Sequence, residues 1–399
     1  MTSDRWNRLA ELGVHGANVQ PGQIVAVSAE LEQDELARAV AAAAYRRGAQ
    51  FVDIWYFDPN LKRARVQNAD PDTLEYVPEW YGERMLAHAA AKGARVSLAG
   101  PTKPNLLDDL DASLVGKDRL PYLKETGKVV GARSTNWCIL PCPHPAWAAL
   151  VYPDLAEDEA YEKLWSELEH VLRLDEPDPA AAWEERMATL NDSAARLADR
   201  RFDAFELRGP GTELTVGMLP THTWWAADFT TADGLRHFPN LPTEEVFTTP
   251  DPERTSGHVA STKPLVLRDG TIIRGLRVRF EGGKAVQIDA DENVEALRSQ
   301  LSIDDGALRL GELALVDRQG RIGPLGTVFY DTLLDENAAS HIALGSAYQL
   351  GVESDEDKAR VNTSAIHVDF MIGSPELDVD GLTAGGDAVP LLRGGAWQV

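Results

Sequence analysis

The sequence predicts an α/β N-terminal domain built on a parallel sheet, followed by a mixed α+β, β-rich C-terminal domain. Three observations predict it. Short apolar runs alternate with amphipathic helical stretches in the N-terminal part, the pattern of βαβ units. Closely spaced turns containing Gly and Asp separate short strand patterns in the second half. Finally, 399 residues exceed what a single core usually fills, which favours two domains.

Taken in order, Thr2 to Leu12 reads as a short helix and Gln23-Ile-Val-Ala-Val-Ser28 as a compact strand. An Ala-rich amphipathic helix follows from Gln33 to Arg47 and stops near Gly48. Phe51 to Tyr56 is a second strand, Pro78 to Lys92 a helix stopped by Gly93, and Arg95 to Ala99 a third strand. This α/β domain is expected to cover residues 1–150. No G-x-G-x-x-G follows any of its strands and no Walker loop occurs, so the sheet reads as scaffold rather than nucleotide site. The proline-rich stretch Asn136 to Trp147 reads as a crossing between domains. It holds Cys138, Cys142 and His144, but structural zinc needs four ligands and no second knuckle exists, so the thiols read as buried and inert.

The second domain is expected over residues 151–399, with 151–200 helical and able to bridge the two. Leu155 to Leu174 and Ala180 to Arg200 carry helical patterns. Phe202 to Leu207 and Thr212 to Met218 then flank a turn at Arg208-Gly-Pro-Gly211. Pro264 to Leu267 and Thr271 to Phe280 surround Asp269-Gly270, a hairpin signal. Gly282-Gly283 leads into a strand at Ala285 to Asp289, and Asp291 to Leu301 reads as a helix.

Acidic residues outnumber basic ones 63 to 39, a formal charge of -24, which disfavours nucleic acid and anionic membrane as partners. No run approaches the ~20 apolar residues of a membrane span. The polar start shows no secretory signal, and two cysteines are too few for a disulfide framework; a cytoplasmic protein is expected.

The chemistry is concentrated in the last third. In Ser364-Ala-Ile-His-Val-Asp-Phe-Met-Ile-Gly373, strand alternation sends Ile366, Val368, Phe370 and Ile372 to one face. His367 and Asp369 share the other. An isolated His-x-Asp is commonly a core histidine held by a carboxylate, but a carboxylate on a strand this apolar is expensive to bury without a cation. Glu312, inside the apolar run Leu308 to Val316, repeats that argument. His341 and Tyr348 stand seven residues apart, two turns on one side if the segment is helical. Asp331, Asp335 and Glu336 lie nearby, with Asp335 at a helix N-cap position. Asn240-Leu-Pro-Thr-Glu-Glu-Val-Phe-Thr-Thr-Pro250 reads by itself as an acidic loop.

Three segments, Asn240 to Pro250, Phe329 to Tyr348 and Ser364 to Gly373, resemble the metal-binding segments of the M29 peptidases, the thermophilic aminopeptidase family. The likeness runs over nearly the whole chain, including Gln20-Pro-Gly-Gln-Ile-Val25 and the Trp/Pro stretch at 137–147. It implies two divalent metal ions (zinc, cobalt, manganese or magnesium) bound through Glu245, Glu312, His341, Tyr348, His367 and Asp369. Tyr348 is then either a weak ligand or a hydrogen-bond donor to the reaction intermediate. The bridging carboxylate is Glu245 or Glu312, and the general base is unassigned, with Glu244 and Glu336 as candidates. The resemblance further implies a cytoplasmic homodimer that trims peptides with a free N-terminus by means of a dinuclear metal-activated water. Competing readings are another dinuclear metallohydrolase, an amidase or phosphoesterase, and a non-enzymatic acidic scaffold. The absence of G-x-S-x-G and H-E-x-x-H argues against serine hydrolases and the common zinc peptidases.

Overall fold

A computed structural model describes residues 2–118, 120–121, 123–267 and 270–398, without the side chains of residues 2, 3 and 112. The hairpin turn expected at Asp269 therefore lies outside the described residues. The chain separates into two units, one of residues 1–185 and 227–242, the other of 186–226 and 243–399.

In chain order the helices are α1 (Thr2–Gly16), α2 (Asp34–Arg46), α3 (Pro59–Asn68), α4 (Glu79–Ala90), α5 (Ala112–Lys117), α6 (Lys124–Gly131), α7 (Pro145–Val151), α8 (Glu157–Val171), α9 (Pro179–Arg200), α10 (Val294–Leu301), α11 (Thr332–Glu336) and α12 (Asp355–Lys358). The first strands are β1 (Ile24–Glu30), β2 (Phe51–Phe57), β3 (Ala94–Ala99), β4 (Asn136–Pro141), β5 (Ala204–Gly209), β6 (Thr212–Met218), β7 (Trp225–Ala226), β8 (Phe229–Thr230), β9 (Arg236–His237), β10 (Glu245–Thr248) and β11 (Pro250–Ala260). They continue with β12 (Leu265–Val266), β13 (Ile272–Ile273), β14 (Arg277–Glu281), β15 (Lys284–Asp289), β16 (Leu310–Val316), β17 (His341–Gly345), β18 (His367–Met371), β19 (Asp378–Leu382), β20 (Ala388–Arg393) and β21 (Ala396–Trp397).

The first unit is built on a parallel sheet in the order β2-β1-β3-β4. Its α2 buries Leu36, Ala37, Val40, Ala43 and Ala44, spaced three and four apart as one helical face requires. The stretch read as a crossing supplies the fourth strand instead: Trp-Cys-Ile-Leu is a short apolar run whose prolines fall at the strand end, where a missing N–H costs nothing. Cys138 and Cys142 are buried free thiols, and burial raises both well above the ordinary thiol value. His144 caps α7, accepting the Ala146 N–H at 3.2 Å.

The chain also leaves this unit later than residue 150. Trp165 of α8 packs edge-on against Trp6, with ring centroids 4.5 Å apart, so the helix completes the first core. Trp183 lies beneath the Arg173 guanidinium at 4.3 Å. The division falls within α9, between Glu185 and Arg186.

The second unit holds an eight-stranded sheet, β15-β14-β11-β6-β5-β19-β20-β21, and a five-stranded sheet, β18-β17-β16-β10-β7. Every pairing within the five-stranded sheet is antiparallel. Its central strand β16 is buried along its whole length. On one face Val246, Leu313, Leu315, Ile342, Leu344 and Phe370 are fully buried. Each contributes roughly 1.5–3 kcal/mol, enough together to hold the register.

Candidate metal centre

Cross-strand register decides which side chains meet on the other face of this sheet. Glu312 of β16 stands opposite Ala343 of β17, which stands opposite Asp369 of β18. In the next same-face row Phe247, Ala314, His341 and Met371 lie side by side. Glu245 of β10 opposes Val316, and His367 opposes Gly345. Side chains alternate along each strand, so Glu245, Glu312, His341, His367 and Asp369 all emerge from one face over a floor of Ala314 and Ala343. The acidic loop expected around Glu244-Glu245 is thus the start of a buried strand.

Donor atoms converge in two groups that share one residue. Glu245, Glu312 and His341 form the first; Glu312, His367 and Asp369 form the second. His341 Nε2 lies 2.9 Å from Glu245 Oε2 and 3.7 Å from Glu312 Oε1. His367 Nε2 lies 3.5 Å from Glu312 Oε2 and 3.2 Å from Asp369 Oδ1. Behind each ring Nδ1 donates to a backbone carbonyl, that of Ala339 at 3.1 Å for His341 and of Ser346 at 2.7 Å for His367. These bonds turn both Nε2 atoms inward, the outer-shell arrangement of metal-binding histidines.

A bulge aims Glu312. The β16–β17 register shifts between Leu310 and Glu312, leaving Gly311 as the extra residue. A Cβ at Gly311 would stand 2.5 Å from the carbonyl oxygens of Gly345 and Ser346, so glycine is required there. Gly345, at φ +107°, supplies the matching turn out of β17.

The electrostatics suit cations. Burial raises the Glu312 carboxyl, while its hydrogen bond to His341 and the His367 charge pull it back. Burial works against charge on both rings, yet Glu245, Glu312 and Asp369 hold His341 well above its ordinary value. His367 is raised to about 9, Asp369 and Glu312 overcoming burial. Protons gather where negative charge is excessive, and a divalent cation competes for the same lone pairs. Glu245 Oε2 is buried and accepts no hydrogen bond among the described residues, despite its closeness to His341. Carboxylate oxygens and inward-facing imidazoles fit zinc, cobalt or manganese, and the oxygen-rich share also admits magnesium.

Three expectations are corrected here. His341 and Tyr348 do not share a helix: His341 opens β17, and Tyr348 lies in the irregular segment before a 3-10 turn at Gln349–Gly351. The sheet turns back through Gly345, and that reversal rather than helical periodicity brings the Tyr348 ring to 5.5 Å from that of His367. Tyr348 is 42% exposed, and its phenol is raised by local desolvation and by Glu312, Asp369, Glu336 and Glu245. Second, the N-cap of α11 is Asp331, which accepts the Leu334 N–H, and not Asp335. Asp335 instead accepts the N–H groups of Phe329 and Asp331, and burial raises it to about 7. Third, Glu244 points away from the donor groups: its carboxylate accepts from Arg186 Nε at 2.6 Å, and Arg186 also binds Asp317.

Glu336, at the end of α11, belongs to neither donor group. Burial raises its carboxyl well above the ordinary value, as do Asp369 and Glu245. Of the features that build the site, the Gly311 bulge, the orienting carbonyls of Ala339 and Ser346, and Arg186 were not foreseen. Gly311 beside Glu312 was the one local signal; the others arise from contacts distant in sequence.

Comparison with known proteins identifies the family. The family model of the M29 thermophilic metalloproteases matches residues 2–397. Aminopeptidase T of Thermus thermophilus is 42% identical over 401 residues, covering 98% of each chain. Aminopeptidase 2 of Geobacillus stearothermophilus is 37% identical over 99% of this chain and 98% of its own. A solved structure of wild-type AmpT from Thermus thermophilus superposes with a TM-score of 0.92 at 41% identity, covering 100% of both chains. The chain belongs to the M29 family, the thermophilic metalloproteases, and with it to the metallo-aminopeptidases.

Proposed function

We propose that the protein removes N-terminal residues from peptides at a centre of two divalent ions, one held by Glu245, Glu312 and His341, the other by Glu312, His367 and Asp369. The observation that carries this reading is the sharing of Glu312 between two donor groups on one sheet face. It favours Glu312 over Glu245 as the bridging carboxylate. Two bound ions would supply Lewis acidity for the scissile carbonyl and acidify water toward a pKa of ~7. The remaining steps fall to the chain. Glu336, outside both donor groups and raised by its surroundings, is suited to take a proton from water and return it to the leaving amine. Tyr348, beside His367 and kept protonated, is suited to donate a hydrogen bond to the developing oxyanion. Ala314 and Ala343 present only methyl groups on the floor between the donor residues. No described helix is long and apolar enough to cross a membrane. A cytoplasmic location and a homodimer are carried over from the family resemblance.

The test is elemental analysis of the purified protein, run beside hydrolysis of leucyl-p-nitroanilide and p-nitrophenyl phosphate. Two equivalents of divalent metal and cleavage of the anilide alone are expected, with activity lost on chelation and regained on re-addition. Full anilide activity after chelation and dialysis, or preference for the phosphate ester, would overturn the proposal.

A further inference from the structure

Asn337 follows Glu336 directly and is fully buried. Its two polar groups reach different segments. Oδ1 accepts the backbone N–H of Glu244 at 2.7 Å, and Nδ2 donates to Leu333 O within α11 at 2.9 Å. One amide side chain thus ties the first residue before β10 to the helix that ends in Glu336. On the other side of that tie stands Glu245, one residue beyond Glu244.

The β10 end of the tie is itself braced. Glu244 is 0% exposed, and its carboxylate accepts from Arg186 Nε at 2.6 Å. Arg186 also donates to both oxygens of Asp317, at 3.2 and 3.3 Å. The indole of Trp397 donates to Asp317 Oδ2 at 3.0 Å. A buried, fully engaged network of this kind fixes geometry more than it adds net stability. The backbone of Glu244 is therefore restrained through its side chain, and Asn337 passes that restraint to α11.

We infer that Asn337 is a positioning residue which sets the separation between the Glu245 carboxylate and the Glu336 carboxylate. This inference rests on the proposed function, since it assigns Glu245 to the metal and Glu336 to proton transfer. Asn337 does not touch the Glu245 carboxylate, which it reaches through the Glu244 backbone, while its Nδ2 also donates to Glu336 Oε1 at 3.5 Å. An ion ligand and a proton carrier must be held within about 0.5 Å to cooperate, and the start of a strand and the end of a short helix distant in sequence would not do that unaided.

The experiment compares wild type with Asn337→Leu, which removes all three bonds at similar volume, and Asn337→Asp, which keeps an acceptor for the Glu244 N–H but loses the donor to Leu333 O and Glu336. Zinc and cobalt dissociation constants are measured by chelator competition on folded protein, and kcat and KM for leucyl-p-nitroanilide separately. For Asn337→Leu, metal affinity is expected to weaken roughly 10- to 100-fold, the usual effect of losing an outer-shell partner. At saturating metal kcat should still fall, with KM little changed; Asn337→Asp, which keeps the Glu244 contact, should recover much of the metal affinity but not kcat, because its carboxylate faces Glu336. A role confined to folding would lower the unfolding temperature while leaving metal affinity and kcat of the folded protein at wild-type levels, and that result overturns the inference. Asn337→Ala replaces the leucine variant should that not fold; failure of both to fold counts against the inference too. Wild type that binds no divalent ion would instead defeat the proposed function.

Discussion

Among single residues, Glu312 stands apart because both donor groups contain it. Glu312→Gln is expected to depress both equivalents of bound metal, whereas Glu245→Gln should spare the group of Glu312, His367 and Asp369; elemental analysis of the two variants distinguishes them. His367→Ala and Asp369→Ala are expected to lower kcat/KM by more than the ~10- to 100-fold cost of an outer-shell loss. Both should keep the wild-type far-UV circular dichroism, because these side chains project from the sheet face opposite its fully buried apolar residues. These residues were legible in the sequence for a definite reason. In residues 366–372 each polar side chain alternates with an apolar one, so a two-residue period separates His367 and Asp369 from the core. The role of Glu244 was not legible, since its partner Arg186 lies 58 residues away.

For elements, the outcome turns on what local pattern can and cannot encode. The segment 335–348 includes the good helix formers Glu336, Ala338, Ala339, Ala343 and Leu344, and the spacing of His341 and Tyr348 imitates two helical turns. Only α11 is helical; pairing with β16 and β18 draws His341–Gly345 into a strand, a tertiary choice that overrides propensity. The Gly311 bulge is equally invisible without the partner strand. Gly311→Val should displace Glu312, because its new Cβ meets two carbonyl oxygens at 2.5 Å. A stability loss of about 1–3 kcal/mol and weakened metal binding are expected, measured by denaturant unfolding and chelator competition. A variant with unchanged metal affinity would show that the bulge does not aim the carboxylate.

For the whole molecule, the parallel sheet and the β-rich second part were both foreseen, whereas the Trp6–Trp165 contact joins residues too far apart in the chain to be read from local pattern. The first unit also makes a prediction about pH. His237 is buried against Trp137, with ring centroids 4.6 Å apart, and burial lowers it to about 4. Its ordinary value is about 6.5, so below that pH the unfolded chain takes up a proton the folded one refuses. Stability is then complete above about pH 6.5 and declines as pH falls toward 4, by on the order of 3 kcal/mol from this group. His237→Phe should flatten that decline in urea unfolding at pH 7 and pH 4.5; an equally steep loss would exclude His237 as its source.

The place of the shared carboxylate within its sheet has one more consequence. Glu312 sits on the central strand, hemmed in on both sides, whereas His367 and Asp369 ride on β18, the marginal strand. When ions of unequal radius are exchanged, the middle must stay still and the rim must give. In the proposed centre, accommodating ions of different radius would then fall to that one border strand, and stiffening it is expected to narrow the range of ions bound.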